Sequence, residues 1–332
     1  MTVPPPASIA GSFAAFFDAV GDFAANLADV RWGSLLLGLV AFGVYLTLRA
    51  RASFNILRAA YPAERIRFRA IWGAYMAGYG FNSVVPARGG DVIRLFLTKT
   101  SVPNSSYPAV GAAFAVELVF DLTMAVPVLG FAFTQGVFPK PPDFSKLPAF
   151  DLAFLAQHPR FTLFLLTVLA LAVLIGFALL SARVKAFWAR VRQGLTVMSD
   201  RRRYLREVWL VQLAGWCFRF FAFWMLLEAF NVGGSVRNVL LVLGVNAVAA
   251  LVPFTPGGAG VQQALLAKVF AGTAAGATVA AYSVGQQIAI AATTFGLGFA
   301  ALVYIFRFRS FKEVIAHGRA SRDAEEAGAE VS

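Results

Sequence analysis

The chain has 332 residues, 59% of them hydrophobic and 14% charged, with a formal net charge of +12. A soluble domain of this size carries roughly 25% charged residues, so a water-soluble globular protein is excluded. The positive balance is what arginines retained on the cytoplasmic side of a multispan protein produce, and no nucleic-acid partner is expected.

In chain order, residues 1–31 come first. Ile9, Phe13, Phe16, Phe17, Val20, Phe23 and Leu27 recur at helical spacing, while Asp18, Asp22 and Asp29 interrupt any signal-peptide core. The pattern predicts an extracytoplasmic helix lying in the membrane interface. Residues 32–311 then read as one transmembrane domain, with spans expected at 32–48, 107–133, 161–181, 209–230 and 278–306. Residues 312–332 are polar and aperiodic, the composition of a disordered tail.

Three basic segments set the orientation. The first holds Arg49, Arg51, Arg58, Arg65, Arg67 and Arg69 against a single Glu64, the second covers 183–206, and the third holds Arg307, Arg309 and Lys312. The positive-inside rule puts all three in the cytoplasm, which predicts a multi-pass protein of the inner (plasma) membrane with its N-terminus outside and its C-terminus inside.

That orientation constrains residues 70–106. The span at 107–133 must start where the basic segment 49–69 ends, so the intervening chain has to enter and leave by one face. Residues 70–85 are apolar but amount to ~24 Å of helix, short of a ~30 Å crossing. They end at Pro86, and Gly89–Gly90 turn the chain back. In the second half, residues 236–252 enter, "PFTPGGAGVQQ" breaks the helix, and 264–270 return. Asn82 precedes the first break and Asn246 the second. The expected fold class is therefore all-α: a polytopic helical membrane protein of inverted-repeat architecture with two re-entrant, broken hairpins. Two surface loops that happen to carry Pro and Gly are the plainer alternative.

The chemistry concentrates at these breaks. In "PARGGDVIR", Pro86 stops a helix, Gly89 and Gly90 permit close approach, and Asp91 is placed to cap the helix that follows. Arg88 and Arg94 flank that helix start, whose free N–H groups favour anions, and together they suit a phosphate. The alternative is that Asp91 pairs with Arg94 one turn on. The second break offers Thr255, Gly257, Gly258, Gln262 and Gln263, polar but uncharged. Glu117 and Asp121 lie at i,i+4 within a span, where carboxylates normally face a partner or a cavity. Arg88, Arg94 and Arg219 are their candidate partners, and both a structural salt-bridge cluster and proton coupling are open readings. Glu228, near the outer end of its span, is expected to snorkel. Cys217 and the two histidines, His158 and His317, make neither a disulfide framework nor a metal-ligand set. No phosphate-loop, dinucleotide or nucleophile-elbow motif is present, so neither metal nor cofactor is expected.

"NSVVPARGGDVIR", "ELVFD" at 117–121 and "PFTPGGAGVQQALL" resemble, in order, three motifs of the lysylphosphatidylglycerol synthetase transmembrane-region family, also called the flippase-like domain. Leu118, Gln263 and Gln286 stand where that family often carries arginine, glutamate and arginine. The resemblance implies a lipid transporter of the flippase or scramblase kind, not an enzyme, that moves a phospholipid or lipid-linked headgroup between leaflets. Its partner would be a membrane lipid with an anionic or zwitterionic headgroup; oligomeric state is left open. A membrane-embedded transferase, or an accessory subunit acting on lipid-linked sugars or amino acids, is the alternative. Asn82, Arg88, Gly89, Gly90, Asp91, Arg94, Thr255, Gly257, Gly258, Gln262 and Gln263 are the candidate substrate-binding residues, with Glu117, Asp121 and Arg219 as an intramembrane charge cluster.

Overall fold

The computed structural model describes residues 29–83, 89–135, 188–249 and 260–307. The described residues are helical and contain no strand: α1 (Trp32–Ala60), α2 (Phe68–Asn82), α3 (Gly89–Ser101), α4 (Tyr107–Thr134), α5 (Arg201–Ala229), α6 (Val236–Ala249), α7 (Val261–Val269) and α8 (Gly276–Tyr304). α1, α4, α5 and α8 have 28 or 29 residues each and are apolar enough to cross a membrane. The span expected at 161–181, the interfacial helix over most of 1–31 and the tail 312–332 lie outside the described residues.

The burial pattern is inverted relative to a soluble bundle. On α4, Leu118, Leu122 and Val126 are exposed while Glu117 is only 3% accessible. Trp32, Leu36, Leu37 and Val40 form the exposed stripe of α1. Apolar side chains thus face outward and polar ones inward, as lipid around the bundle requires.

α1 and α5 lie antiparallel along their whole length. Arg31 N–H donates to the Ala229 carbonyl (2.9 Å) at one end, and Asn55 Nδ2 donates to the Glu207 carbonyl (2.7 Å) at the other. Between them, Gly215 backs onto Leu48 and the Tyr45 carbonyl, and Gly38 onto Ala222 and Leu226, small residues allowing close helix approach. Glu207 belongs to a single π turn, Tyr204–Trp209, that opens α5 near its start.

α1 does not stop at Leu48, as the charge pattern suggests, but continues to Ala60. Its basic second half was expected to be a cytoplasmic connection. Ala50, Ala52, Ser53, Ile56 and Leu57 continue the buried face, however, and only Arg51 and Arg58 project outward. Those two rest over the Phe54 ring at 5.1 Å and 5.6 Å. Arg49 is thereby carried into the core at 8% exposure.

α2 and α3 form an antiparallel pair. Their outer ends are tied by Asn104 Nδ2, which donates to Glu64 Oε1 (2.8 Å), and the helices cross where Gly90 meets Gly78. A Cβ on Gly90 would sit 2.0 Å from the Gly78 carbonyl oxygen. On its other side α2 packs against α8 through Gly80 and Gly298, which face Thr294 and Met76 backbone atoms respectively. α2 is therefore held on both sides by glycine contacts that no side chain could replace without movement. Glu228 does not merely reach outward. It accepts from the Gly234 N–H (2.8 Å) and pairs with Arg31 (3.4 Å), fastening the turn between α5 and α6.

Candidate functional site: a charged cavity between four helix stripes

Polar residues spaced three, four or seven apart share a helix face, and four such stripes converge. α2 brings Tyr75, Tyr79 and Asn82; α1 brings Tyr45 and Arg49; α4 brings Glu117, Asp121, Met124 and Val128; α5 brings Gln212, Trp216 and Arg219. Together with Asp91 and Arg94 of α3, and Leu243, Asn246 and Ala247 of α6, most of these line a cavity of about 420 Å³. Pro127, which lacks a backbone N–H to bond one turn back, lies inside α4 next to the lining residue Val128 in sequence.

Along one wall, two arginines are taken up by two carboxylates. Arg49 donates through both terminal nitrogens to Asp121 (2.5 Å and 2.8 Å), through Nε to the Tyr75 hydroxyl (3.0 Å), and to Gln212 Oε1 (2.6 Å). Arg94 donates to Glu117 and to Ser53 Oγ (3.0 Å), and its guanidinium lies between the rings of Tyr75 (4.1 Å) and Phe114 (3.9 Å). Glu117 also lies 3.7 Å from Arg49 and so bridges both cations. A buried charge is tolerable only when paired and hydrogen-bonded, and every charge of this group meets that condition.

Of the partners open to Glu117, the structure chooses Arg94. Asp121 takes Arg49 instead of Arg219. Arg219 rests over the rings of Tyr45 (5.7 Å) and Phe223 (5.9 Å), without an ion pair or hydrogen bond among the described residues. Asp91 accepts from Asn82 Nδ2 (2.7 Å), which joins the end of α2 to the first turn of α3. In the second half, Asn246 Oδ1 accepts from Gln262 Nε2 (2.8 Å), joining α6 to the first turn of α7. Gln263 is turned to its own helix start, accepting from the Gly260 N–H (2.6 Å) and donating to Gln287 (2.5 Å). Gly260 adopts φ +85°, a conformation that glycine takes without strain. Gln286 is buried at 1%. Arg88, Thr255, Gly257 and Gly258 lie outside the described residues.

The cavity thus collects Asn82, Asp91, Arg94, Asp121 and Arg219 from the residues singled out in the sequence, and reaches Gln262 through Asn246. It also contains Arg49, Tyr45, Tyr75, Tyr79 and Trp216, with Gln212 behind, which the sequence reading missed. The heptad-like spacings Tyr75–Tyr79–Asn82 and Gln212–Trp216–Arg219 carried the missing signal.

Apolar faces outward, paired charges inward and a polar cavity at the centre define a multi-pass helical membrane protein. The chain belongs to the lysylphosphatidylglycerol synthase TM region family, whose family model matches residues 7–298. It is also 28% identical over 311 residues to Glycosyltransferase AglD of Haloferax volcanii, an alignment covering 80% of this chain and 48% of that protein. The chain therefore spans about half the length of that curated relative.

Proposed function

We propose that this protein carries a phospholipid or lipid-linked headgroup between leaflets, as a flippase or scramblase, with the cavity as the headgroup's way-station. One observation carries the proposal: the inner ends of α2, α3 and α6 meet at a single charged cavity within the spans. In this reading α2–α3 and α6–α7 are re-entrant hairpins of an inverted repeat, entering from the cytoplasm and from outside respectively. Their arms support it, since the 15 residues of α2 and 13 of α3 are too short to cross ~30 Å of hydrocarbon. Irregular backbone at that depth is tolerated where it lines a wet cavity, and paired breaks in two halves mark transport sites. The site lies in the inner membrane, with the start of α1 outside and the end of α8 in the cytoplasm. Reconstituted in vesicles, the protein should speed exchange of a fluorescent-headgroup phospholipid between leaflets, read by dithionite quenching. Exchange no faster than in protein-free vesicles would end this reading.

The likeness to a glycosyltransferase favours a second reading, in which this domain works on lipid-linked sugars as a transferase or accessory subunit. Turnover of a labelled sugar donor by the purified protein would establish it, and a lack of turnover alongside rapid lipid exchange would exclude it.

A further inference from the structure

The cavity holds cations in two different states. Arg49 and Arg94 are consumed by Asp121 and Glu117, with further hydrogen bonds to Tyr75, Gln212 and Ser53. Among the described residues, Arg219 is held only by the faces of Tyr45 and Phe223, at 5.7 Å and 5.9 Å. A guanidinium carries five donors, and ring faces satisfy its charge without using any of them. It lies seven residues, or ~10 Å, along α5 from the Gln212 level of the paired cluster. Trp216 sits one turn below it and Tyr79 on the facing helix, both on the cavity wall.

Resting on the lipid-handling role proposed above, we infer that Arg219 is the anion-docking residue of the cavity, and that it selects a lipid bearing one phosphodiester over a lipid diphosphate. A guanidinium binds phosphate oxygens through two parallel N–H donors, and one guanidinium offsets one negative charge. A phosphodiester carries one. A diphosphate carries a surplus, at least two, and among the described cavity residues the other guanidinium groups, Arg49 and Arg94, are already paired with Asp121 and Glu117. Arg94, which the sequence marks as a phosphate ligand, could take that surplus only by abandoning Glu117 inside the protein, a change disfavoured by several kcal/mol. Phosphodiesters occur both in glycerophospholipids and in glycosyl prenyl monophosphates, so the shared chemistry is the phosphodiester group.

The test is ligand-dependent thermal stabilisation of the full chain in detergent. The probes are dihexanoyl-phosphatidylglycerol, a short-chain glycosyl prenyl monophosphate, farnesyl diphosphate and an uncharged alkyl glycoside. At least one phosphodiester should bind about tenfold more tightly than either the diphosphate or the glycoside. The tighter of the two phosphodiesters names the source of the headgroup. Arg219→Gln should weaken that ligand by about tenfold or more, Arg219→Lys should keep part of the affinity, and Arg237→Gln, at an exposed arginine in the first turn of α6 bonded to Gln135, should change nothing. Equal or tighter binding of the diphosphate, or Arg219→Gln binding like the wild type, overturns the inference. Should Arg219→Gln fail to fold, the probe ranking and Arg219→Lys decide alone. Lipid exchange is measured in parallel. Selective, Arg219-dependent binding without exchange sinks the transport reading and leaves this one standing; exchange undiminished in Arg219→Gln does the reverse.

Discussion

Asn82 Nδ2 donates a 2.7 Å hydrogen bond to Asp91 Oδ1, and that bond fastens the last residue of α2 to the first turn of α3. Asn246 and Gln262 repeat it at 2.8 Å between α6 and α7. Each of these two helix pairs therefore has its own polar clasp, α2 to α3 and α6 to α7. A double-mutant cycle on Asn82→Ala and Asp91→Ala should give a coupling of about 0.6–1.7 kcal/mol, the range for interhelical hydrogen bonds in membranes. The cross pair Asn82→Ala with Gln262→Ala should give a coupling near zero. Unfolding titrations in mixed micelles read both values; equal coupling in the two cycles would dismiss the idea of separate clasps.

The Arg94–Glu117–Arg49 group is buried, so removing the shared carboxylate strands the Arg94 guanidinium and takes one of two carboxylates from Arg49. Glu117→Ala should destabilise by about 3–5 kcal/mol. Replacing Arg94 and Glu117 together by Met should recover part of that loss. The half-exposed pair Arg203–Glu207 makes the comparison, and Glu207→Gln should cost less than about 1 kcal/mol.

Helix crossing at glycine predicts a steep positional dependence. Gly90→Ala places a methyl 2.0 Å from the Gly78 carbonyl oxygen, and Gly80→Ala places one 2.4 Å from that of Thr294. Each should destabilise by about 1–3 kcal/mol through forced backbone movement. Nothing lies within 4 Å of a Cβ on Gly111, so Gly111→Ala should be neutral or stabilise by up to about 1 kcal/mol. The ranking, read from thermal midpoints, is the informative result.

Membrane sidedness offers a further check. In a Cys217→Ser background, cysteines at Ala63 and Asn104 should both react with an impermeant maleimide from the cytoplasmic face. Cysteines at Gly233 and Gly272 should both react from outside. Labelling of 63 and 104 from opposite faces would rule out re-entry by α2 and α3.

Much of the fold was legible because lipid imposes a simple rule on composition. Runs of ~20 apolar residues have to be helices, and they marked 107–133 and 278–306 within two residues of the observed ends. The same rule misled at Arg49. A cluster of arginines after an apolar run reads as a topological signal, and neither charge nor hydropathy tells which arginine stays on the helix face turned inward. Glu117 and Asp121 advertised themselves, since two carboxylates one turn apart in a span need partners, but their partners lie 23 and 72 residues away, respectively.

The sequence by itself determined the membrane class and the four spans within the described residues, because each follows from local composition and chain length. Only the tertiary structure decided the pairing of charges: Arg49 with Asp121, Arg94 with Glu117, and Arg219 left on aromatic faces. Those choices rest on distances between helices far apart in the chain, with α2 held against α3 at Gly78–Gly90 and against α8 at Gly80 and Gly298. Three chemically identical guanidinium groups thus differ only in what packing brings within reach.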